Sequence, residues 1–405
     1  MSNYWQEVYP GRPFQTVGPE PIHPARRMKF DELMHMMMMA CSTGNVNERK
    51  CARSGLSLFC YTKNAVYQRA WSLPAVVMAR GLILDPFKSE VVATPFPKFF
   101  NVGEFDLPFP NRPFETFDKL DGSLIIIFWH QPKGQPEGMW RCATKGSLDS
   151  PQAVWAQQWL LTYPNTVERL TKGTTYLAEA IYPENRIVID YGSEAGLKLL
   201  AAYAEDGREV PYADLFSISA SSPFGIAQRA PYQSISELVA AQKALPASEE
   251  GWVLRFNDGN RLKVKGDEYC RIHRFISRCT PLAVWEWLRD GKPSEDFRKE
   301  LPEEFWDDFD SIVGIISQKL TAIIVKVGAR ADEFKELSDK EVGLKLASLD
   351  EVERKLIFPM RNQNGDLFCN PKSNRVLFDL VRPTANELEG YKPSTSINRV
   401  LAEAA

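Results

Sequence analysis

Lys119-Leu120-Asp121-Gly122-Ser123 is the stretch best suited to chemistry, because it runs directly into the apolar segment Leu124–Trp129. A lysine at a strand end beside a glycine turn can point into a cleft, and Gly122 lets the backbone approach a ligand with no Cβ in the way. In an extended segment Asp121, two residues on, shares the lysine's side. Alone, K-x-D-G is a short pattern that an exposed turn with an ion pair also satisfies. Further blocks lie around it in order. Met78–Asp85 sets Arg80 at a strand, and Pro97–Glu104 sets Lys98 beside Phe99 and Phe100. Leu177–Ile181 carries Glu179 on a strand, followed by Asn185-Arg186-Ile187-Val188. Glu249-Glu250-Gly251-Trp252-Val253 precedes Arg261-Leu262-Lys263-Val264-Lys265, where Lys263 and Lys265, two apart on a strand, face the same way. Singly, each cation reads as a solvated strand face.

The elements that must hold these residues alternate between short strands and helices. Strands are expected at Leu56–Tyr61, Ala79–Leu84, Val91–Thr94, Ser123–His130 and Met139–Thr144, separated by Pro, Gly, Asn and Lys. Ser150-Pro151 opens a helix whose apolar face carries Val154, Trp155, Trp159 and Leu160. Strands return at Tyr176–Ala180, Arg186–Ile189 and Leu197–Tyr203. A helix follows at Ile235–Ala244, then strands at Gly251–Phe256 and Arg261–Val264. After about Arg274 strand signals fade, and Phe305–Val327 spaces its apolar residues by three and four. Further helices are expected near Lys340–Ala347 and Val376–Val381. The chain therefore reads as an α+β domain with antiparallel sheets over residues 1–274, followed by a mostly helical domain over 275–405. The run Met34-His35-Met36-Met37-Met38-Met39 suggests either soft-metal binding through thioethers and His35 or a core-packing helix, and the second is favoured.

A length of 405 residues exceeds what one core usually serves. With 49 Lys plus Arg against 52 Asp plus Glu, the net charge of −3 excludes a uniformly basic nucleic-acid coat, so a polyanion must meet a local basic patch. Seven scattered cysteines without a C-x-x-C pair, and only four histidines, argue against a disulfide framework or a structural zinc site. Uninterrupted apolar runs such as Leu124–Trp129 are too short to span a bilayer. No secretory signal layout opens the chain. A cytoplasmic location, without a membrane partner, is expected.

Taken together, R-G-I/L-hydrophobic, K-F-F-N, K-x-D-G-S-L, N-R-I-V, E-G-hydrophobic-V and K-hydrophobic-K resemble the blocks of the covalent nucleotidyltransferases. Within that superfamily the chain looks most like the phage tRNA-repair type of ATP-dependent RNA ligase, from about Leu58 to His273. The resemblance implies an adenylation domain in which Lys119 attacks the α-phosphorus of ATP and forms lysyl-AMP. The adenylate then passes to an RNA 5′-phosphate, and a 3′-hydroxyl seals the strand with release of AMP. It implies that Tyr61, Arg80, Lys98, Glu179, Lys263 and Lys265 surround the nucleotide, with Glu250 at nucleotide or metal and Lys145 at the phosphates. A free lysine is neutral in roughly one molecule in two thousand at pH 7, so neighbouring cations that disfavour the ammonium form would help it react.

Other features of the family are less complete. Ala178 and Ala180 flank Glu179, so adenine must be stacked from elsewhere, with Tyr61, Trp252 or a residue of Leu197–Tyr203 as candidates. Magnesium, or manganese in its place, needs only one or two carboxylates. By resemblance Glu295 or Asp296 is a ligand, although acids at a helix N-terminus explain both equally well. Arg271, Arg274 and Arg278 would form a basic helical stripe suited to RNA phosphates or a merely solvated face. The expected partners are RNA with 5′-phosphate and 3′-hydroxyl ends, nicked tRNA in particular, and an end-healing kinase/phosphatase; if the source is viral, the location is host cytoplasm. Two rivals share parts of the pattern. A capping-type guanylyltransferase has K-x-D-G and K-x-K but not the Lys98-Phe99-Phe100-Asn101 or Asn185–Val188 blocks. An inactive RNA-binding relative would not need Lys119, Lys263 and Lys265 intact.

Overall fold

In the computed structural model the unbroken apolar run at Leu124–Trp129 belongs to a strand buried on both faces. Residues 22–392 are described, apart from 52–53, 105–112, 133, 277–278, 302–304, 363–364 and 384–386. The chain divides within the helix Asp267–Ile276, one compact unit running up to Ile272 and a second beginning at His273.

The first unit is α+β. Its strands are β1 Val46–Lys50, β2 Ser57–Tyr61, β3 Arg80–Asp85, β4 Glu90–Ala93, β5 Phe100–Asn101, β6 Phe114–Asp118, β7 Ser123–His130, β8 Met139–Ala143, β9 Thr175–Ile181, β10 Gly196–Tyr203, β11 Gly225–Ile226, β12 Arg229–Ala230, β13 Gly251–Phe256 and β14 Arg261–Lys265. They make three sheets in the orders β1-β2-β3-β4, β11-β10-β9-β7-β8 and β12-β6-β13-β14-β5. Pairing is antiparallel except for β10 with β11 and β14 with β5.

On β7, Ile125 and Ile127 enter one core with Ala178, Leu199 and the helix Pro151–Thr162, while Ile126 and Phe128 enter another with Leu58 and Ile83 of the first sheet. Because successive side chains point to opposite faces, a strand between two cores must be apolar throughout. Ser150 caps that helix through Ala153 N, and Ser234 with Glu237 forms a capping box on Ile235–Ala244, which covers Trp252 and Leu254 of the third sheet. The methionine run lies in the helix Phe30–Ser42. Met37 is fully buried there, Met34 and Met36 pack beside it, and Met38 and Met39 face outward.

Three local expectations change. Arg186–Ile189 is not a strand, because the amides of Val188 and Ile189 donate to the Asp121 carboxylate instead of a ladder. β1 and β6 were not anticipated. The first is a charged edge strand with only Val46 buried; the second sets Thr116 and Phe117, adjacent residues, both inside.

Helices make up the second unit, chiefly Pro281–Arg289, Trp306–Glu333, Glu351–Asn362 and Pro371–Asp379. By length and composition Trp306–Glu333 could cross a bilayer, which a search for uninterrupted apolar runs does not reveal. Ile312, Ile316, Leu320 and Val327 bury one of its faces, while Lys319 pairs with Glu389 and Lys326 with Asp350. That is the pattern of an amphipathic helix with one buried face.

Candidate active site

Lys119 follows β6 directly, and its amide donates to Gly251 O at 2.8 Å where β6 meets β13. Gly251 has φ +138°, and a Cβ there would come within 2.1 Å of Val264 O, so only glycine lets the three backbones converge. Glu250 is thereby brought to Lys119. One oxygen, Glu250 Oε1, lies 2.6 Å from Lys119 Nζ and 3.1 Å from Lys265 Nζ. The carboxylate is 3% exposed and the Lys119 side chain 22%, so the buried end is compensated while the lysine keeps an open side. Lys265 also sits over the Tyr269 ring at 5.3 Å. Lys263 shares its strand face, opposite Val253.

Asp121 is a hydrogen-bond acceptor within the fold. It is buried, with Oδ2 accepting from Val188 N and Ile189 N at 2.9 and 2.8 Å and Oδ1 accepting from Tyr269 Oη at 2.9 Å. Its own amide donates to Tyr191 Oη at 3.0 Å. Asn185 completes the latch, accepting from Ser123 Oγ and donating to Ala180 O. The Asn185–Val188 block therefore fixes the turn carrying Lys119. Tyr191, Tyr269 and the latching role of Asn185 escaped the sequence reading; the Asn-Arg-Ile-Val block itself was the available signal.

Glu179 lies on β9, between Leu124 of β7 and Lys198 of β10. Gly122 passes so close that a Cβ would sit 2.5 Å from Ala180 O and 3.0 Å from Glu179 Cγ. Burial pushes the Glu179 carboxyl up to about 8; the charge of Lys119 opposes this, Glu250 adds to it, Arg80 opposes and Asp121 adds. Near neutral pH this group can donate a hydrogen bond as well as accept one.

A cationic cluster occupies the side toward the first sheet. Arg80 Cζ lies over Phe99 at 5.5 Å, and its buried Nη1 has no hydrogen-bond partner among the described residues. Gly81, at φ +99°, brings the chain against the Lys145 backbone, since a Cβ would meet Lys145 Cα at 3.0 Å. Lys98 and Lys145 each reach the Tyr61 ring at 5.6 Å. Tyr61 is largely buried edge-on against Trp71, and Trp252 is sunk in the third sheet's core against Tyr232. Trp252 is thus removed as a base-stacking candidate. On β10 the residue registered opposite Glu179 is Lys198, paired with Glu194 at 2.8 Å and lying over Tyr191 at 5.5 Å.

Glu295 and Asp296 stand exposed in the first turn of the helix Ser294–Glu300 in the second unit, Asp296 beside Lys299. In the first unit the carboxylates next to Lys119 are Glu250 and Glu179. The Glu250 carboxylate, and that of Glu179 once it has lost its proton, are hard oxygen donors of the kind magnesium or manganese accepts together with phosphate oxygens. Among the described residues no group of three or more His, Cys, Asp or Glu forms a ready metal cage. The basic stripe is corrected. Arg271 is held by Glu268, Arg274 is buried on Asp308 at 3.3 Å, and Arg278 lies outside the described residues.

With the lysine, its carboxylate and the neighbouring cations placed in one unit, the comparisons with known proteins fall on the same region. Residues 78–269, a little under half of the chain, match the RNA ligase family model. A protein of Autographa californica nuclear polyhedrosis virus that carries the name bifunctional polynucleotide kinase/RNA ligase is 28% identical over 267 residues, covering 58% of this chain and 36% of that protein. One from Thermovibrio ammonificans named as an RNA ligase is 26% identical over 209 residues, 48% of this chain and 52% of the relative. The chain thus spans between a third and about half of the length of these curated relatives. Among solved structures, an archaeal ATP-dependent RNA ligase is similar at 16% identity and a TM-score of 0.44, over 93% of this chain and 98% of that one.

Proposed function

We propose that the protein is an ATP-dependent RNA ligase that works through lysyl-AMP on Lys119. The observation that carries this reading is Lys119 Nζ held 2.6 Å from buried Glu250 beside Lys265, within the region that matches the RNA ligase family. In the first step Lys119 Nζ bonds to the α-phosphorus of ATP as the bond to the β-phosphate oxygen breaks and pyrophosphate leaves. Glu250 Oε1 is the acceptor within reach of the proton that Lys119 loses. Arg80, Lys98, Lys145, Lys263 and Lys265 offset the charge on the triphosphate and on the transferring phosphorus, and Glu179 binds the ribose. A divalent cation held by Glu250 or Glu179 would add further charge neutralisation at the phosphates; Glu295 and Asp296 are the alternative ligands. A 5′-phosphate oxygen of the RNA then takes the adenylate and frees Lys119. Attack by a 3′-hydroxyl on that 5′-phosphate finally expels AMP.

The biological reading extends to repair of nicked tRNA, with the helical unit selecting the RNA and a kinase/phosphatase preparing the ends. The viral relative's name, which joins polynucleotide kinase to RNA ligase, supports such a partnership. Incubation with α-labelled ATP and magnesium, followed by denaturing electrophoresis, tests the chemistry. Covalent label is expected on the wild type and none on Lys119→Ala, whereas label from GTP alone refutes the reading in favour of a capping enzyme. Sealing of a nicked tRNA against a linear RNA of equal length tests the repair role, which equal rates would overturn.

A further inference from the structure

The face of β14 that carries Lys263 and Lys265 also carries Arg261, two and four residues earlier. Across the ladder Arg261 lies opposite Arg255 of β13, and both arginines turn to one carboxylate from another sheet. Glu209 Oε1 accepts from Arg261 Nη2 and lies 3.4 Å from Arg255 Nε. Arg255 is shared with Glu115 at 3.8 Å, so Arg261 is the firmer arm. The Glu209 side chain is 1% exposed and that of Arg261 6%. The other oxygen, Glu209 Oε2, is buried with no hydrogen-bond partner among the described residues, so the joint is made through one atom.

Glu209 lies where the chain returns along β10: it bridges Tyr203, and Val210 N donates to Ala202 O at 2.8 Å. It is thereby fixed to the second sheet, whose β9 carries Glu179. On its other side the Arg261 guanidinium lies over the Phe96 ring at 4.6 Å, Phe96 meets Phe99 edge-on at 5.9 Å, and Phe99 underlies Arg80. β13 pairs with β14 along its whole length, whereas β5 adds only Phe100 and Asn101. Ladder bonds fix a strand within its own sheet; its distance from another sheet is set by side chains. A buried ion pair carries a desolvation cost that apolar residues of the same volume avoid, so stability alone gives little reason for one here. We propose that Glu209 is a positioning residue which, through Arg261 and Arg255, sets the distance between β14 and the sheet of Glu179 and so places Lys263 for the reaction of the nucleotide. That Lys263 and Glu179 act on a nucleotide rests on the ligase reading; the joint between the sheets does not.

Glu209→Asp separates position from charge, because it keeps the carboxylate and withdraws it by one methylene. Lysyl-AMP formation is followed in the full chain over a range of ATP concentrations, with thermal melts of every variant and hydrogen exchange of the peptide spanning β14. The rate at saturating ATP should fall about tenfold or more in Glu209→Asp, because a misplacement of about 1 Å is poorly tolerated in the attack, while the half-saturating ATP concentration stays within about threefold of wild type. Its melt should stay close to that of wild type. Glu209→Gln, which keeps the length and loses the charge between two arginines, should melt lower and raise exchange over β14 by about tenfold or more. Arg261→Lys disturbs the joint from the other side; it should repeat the loss of rate and serves where a Glu209 variant does not fold. Labelling of Glu209→Asp at the wild-type rate, a loss confined to the half-saturating concentration, or unchanged exchange over β14 in both Glu209 variants overturns the proposal. If wild type itself takes no label from ATP, the ligase reading falls instead, and raised exchange over β14 in the variants leaves the joint standing.

Discussion

Asp121 should act as a latch and not as a chemical group, and two substitutions separate those roles. Its carboxylate accepts from Val188 N, Ile189 N and Tyr269 Oη, all buried. Asp121→Ala leaves two backbone amides that cannot move away and one hydroxyl that can rotate. At about 1–3 kcal/mol for each orphaned amide, the local cost is about 2–6 kcal/mol. Asp121→Asn can keep both amides bonded through its carbonyl oxygen, and its NH2 can donate to the Tyr269 oxygen. Only charge assistance is lost, about 1–2 kcal/mol. Hydrogen exchange of the peptide spanning Val188 and Ile189 reads these values directly. Local opening should rise at least about thirtyfold in Asp121→Ala and by about five- to thirtyfold at most in Asp121→Asn. Labelling by ATP should follow the same order, because Lys119 is two residues away on the latched turn. Unchanged protection in Asp121→Ala refutes the latch. Loss of label in Asp121→Asn with protection retained would show instead that the negative charge takes part in the reaction.

Glu250→Gln should reduce lysyl-AMP formation by about a hundredfold or more, as expected for loss of a proton acceptor at the nucleophile, with the melting curve preserved; equal labelling refutes the role. His23 is 2% exposed, with Nε2 on Pro95 O and Nδ1 accepting from Ala25 N, and burial holds its pKa down at about 3. The unfolded chain then binds this proton below about pH 6.5 while the folded chain does not. Stability should fall by about 1.4 kcal/mol per pH unit from about 6.5 toward 3 on this account. Urea unfolding at pH 7.5 and 5.5 should show wild type losing about 1.4 kcal/mol more than His23→Gln, and parallel losses in the two proteins exclude the assignment.

The residues around Lys119 were legible because their roles depend on type and short spacing. Glycine beside a lysine, alternating lysines on one strand and an acid before Gly251 need no knowledge of the fold. What escaped the reading lies at long range. The amides of Val188 and Ile189 bond an acid 67 and 68 residues earlier in the chain, so a β-branched stretch that reads as a strand is irregular instead. β1, Val-Asn-Glu-Arg-Lys, lacks any apolar alternation and is a strand because β2 offers it a full edge, from Val46 opposite Tyr61 to Lys50 opposite Ser57. Arg274 fits a helical basic stripe by spacing, yet Asp308, 34 residues on, draws it inside. Trp71 carried no local signal at all, since its meaning comes from Lys98 and Phe100, which follow one helix and two strands later.

A chain with net charge −3 can still build a polyanion site if its cations are concentrated and their repulsion is managed. Two devices do this here. At the nucleophile, one buried carboxylate oxygen serves both Lys119 and Lys265, so the pair carries a single net positive charge when both are protonated. Toward the first sheet the devices are rings: Phe99 under Arg80, Tyr61 under Lys98 and Lys145, and Trp71 and Phe100 around Lys98. The ring quadrupole attracts a cation without neutralising it. The division matches the chemistry proposed for each end. The lysine that must give up its proton stands beside a proton acceptor, and Lys98 and Lys145 stand on aromatic faces.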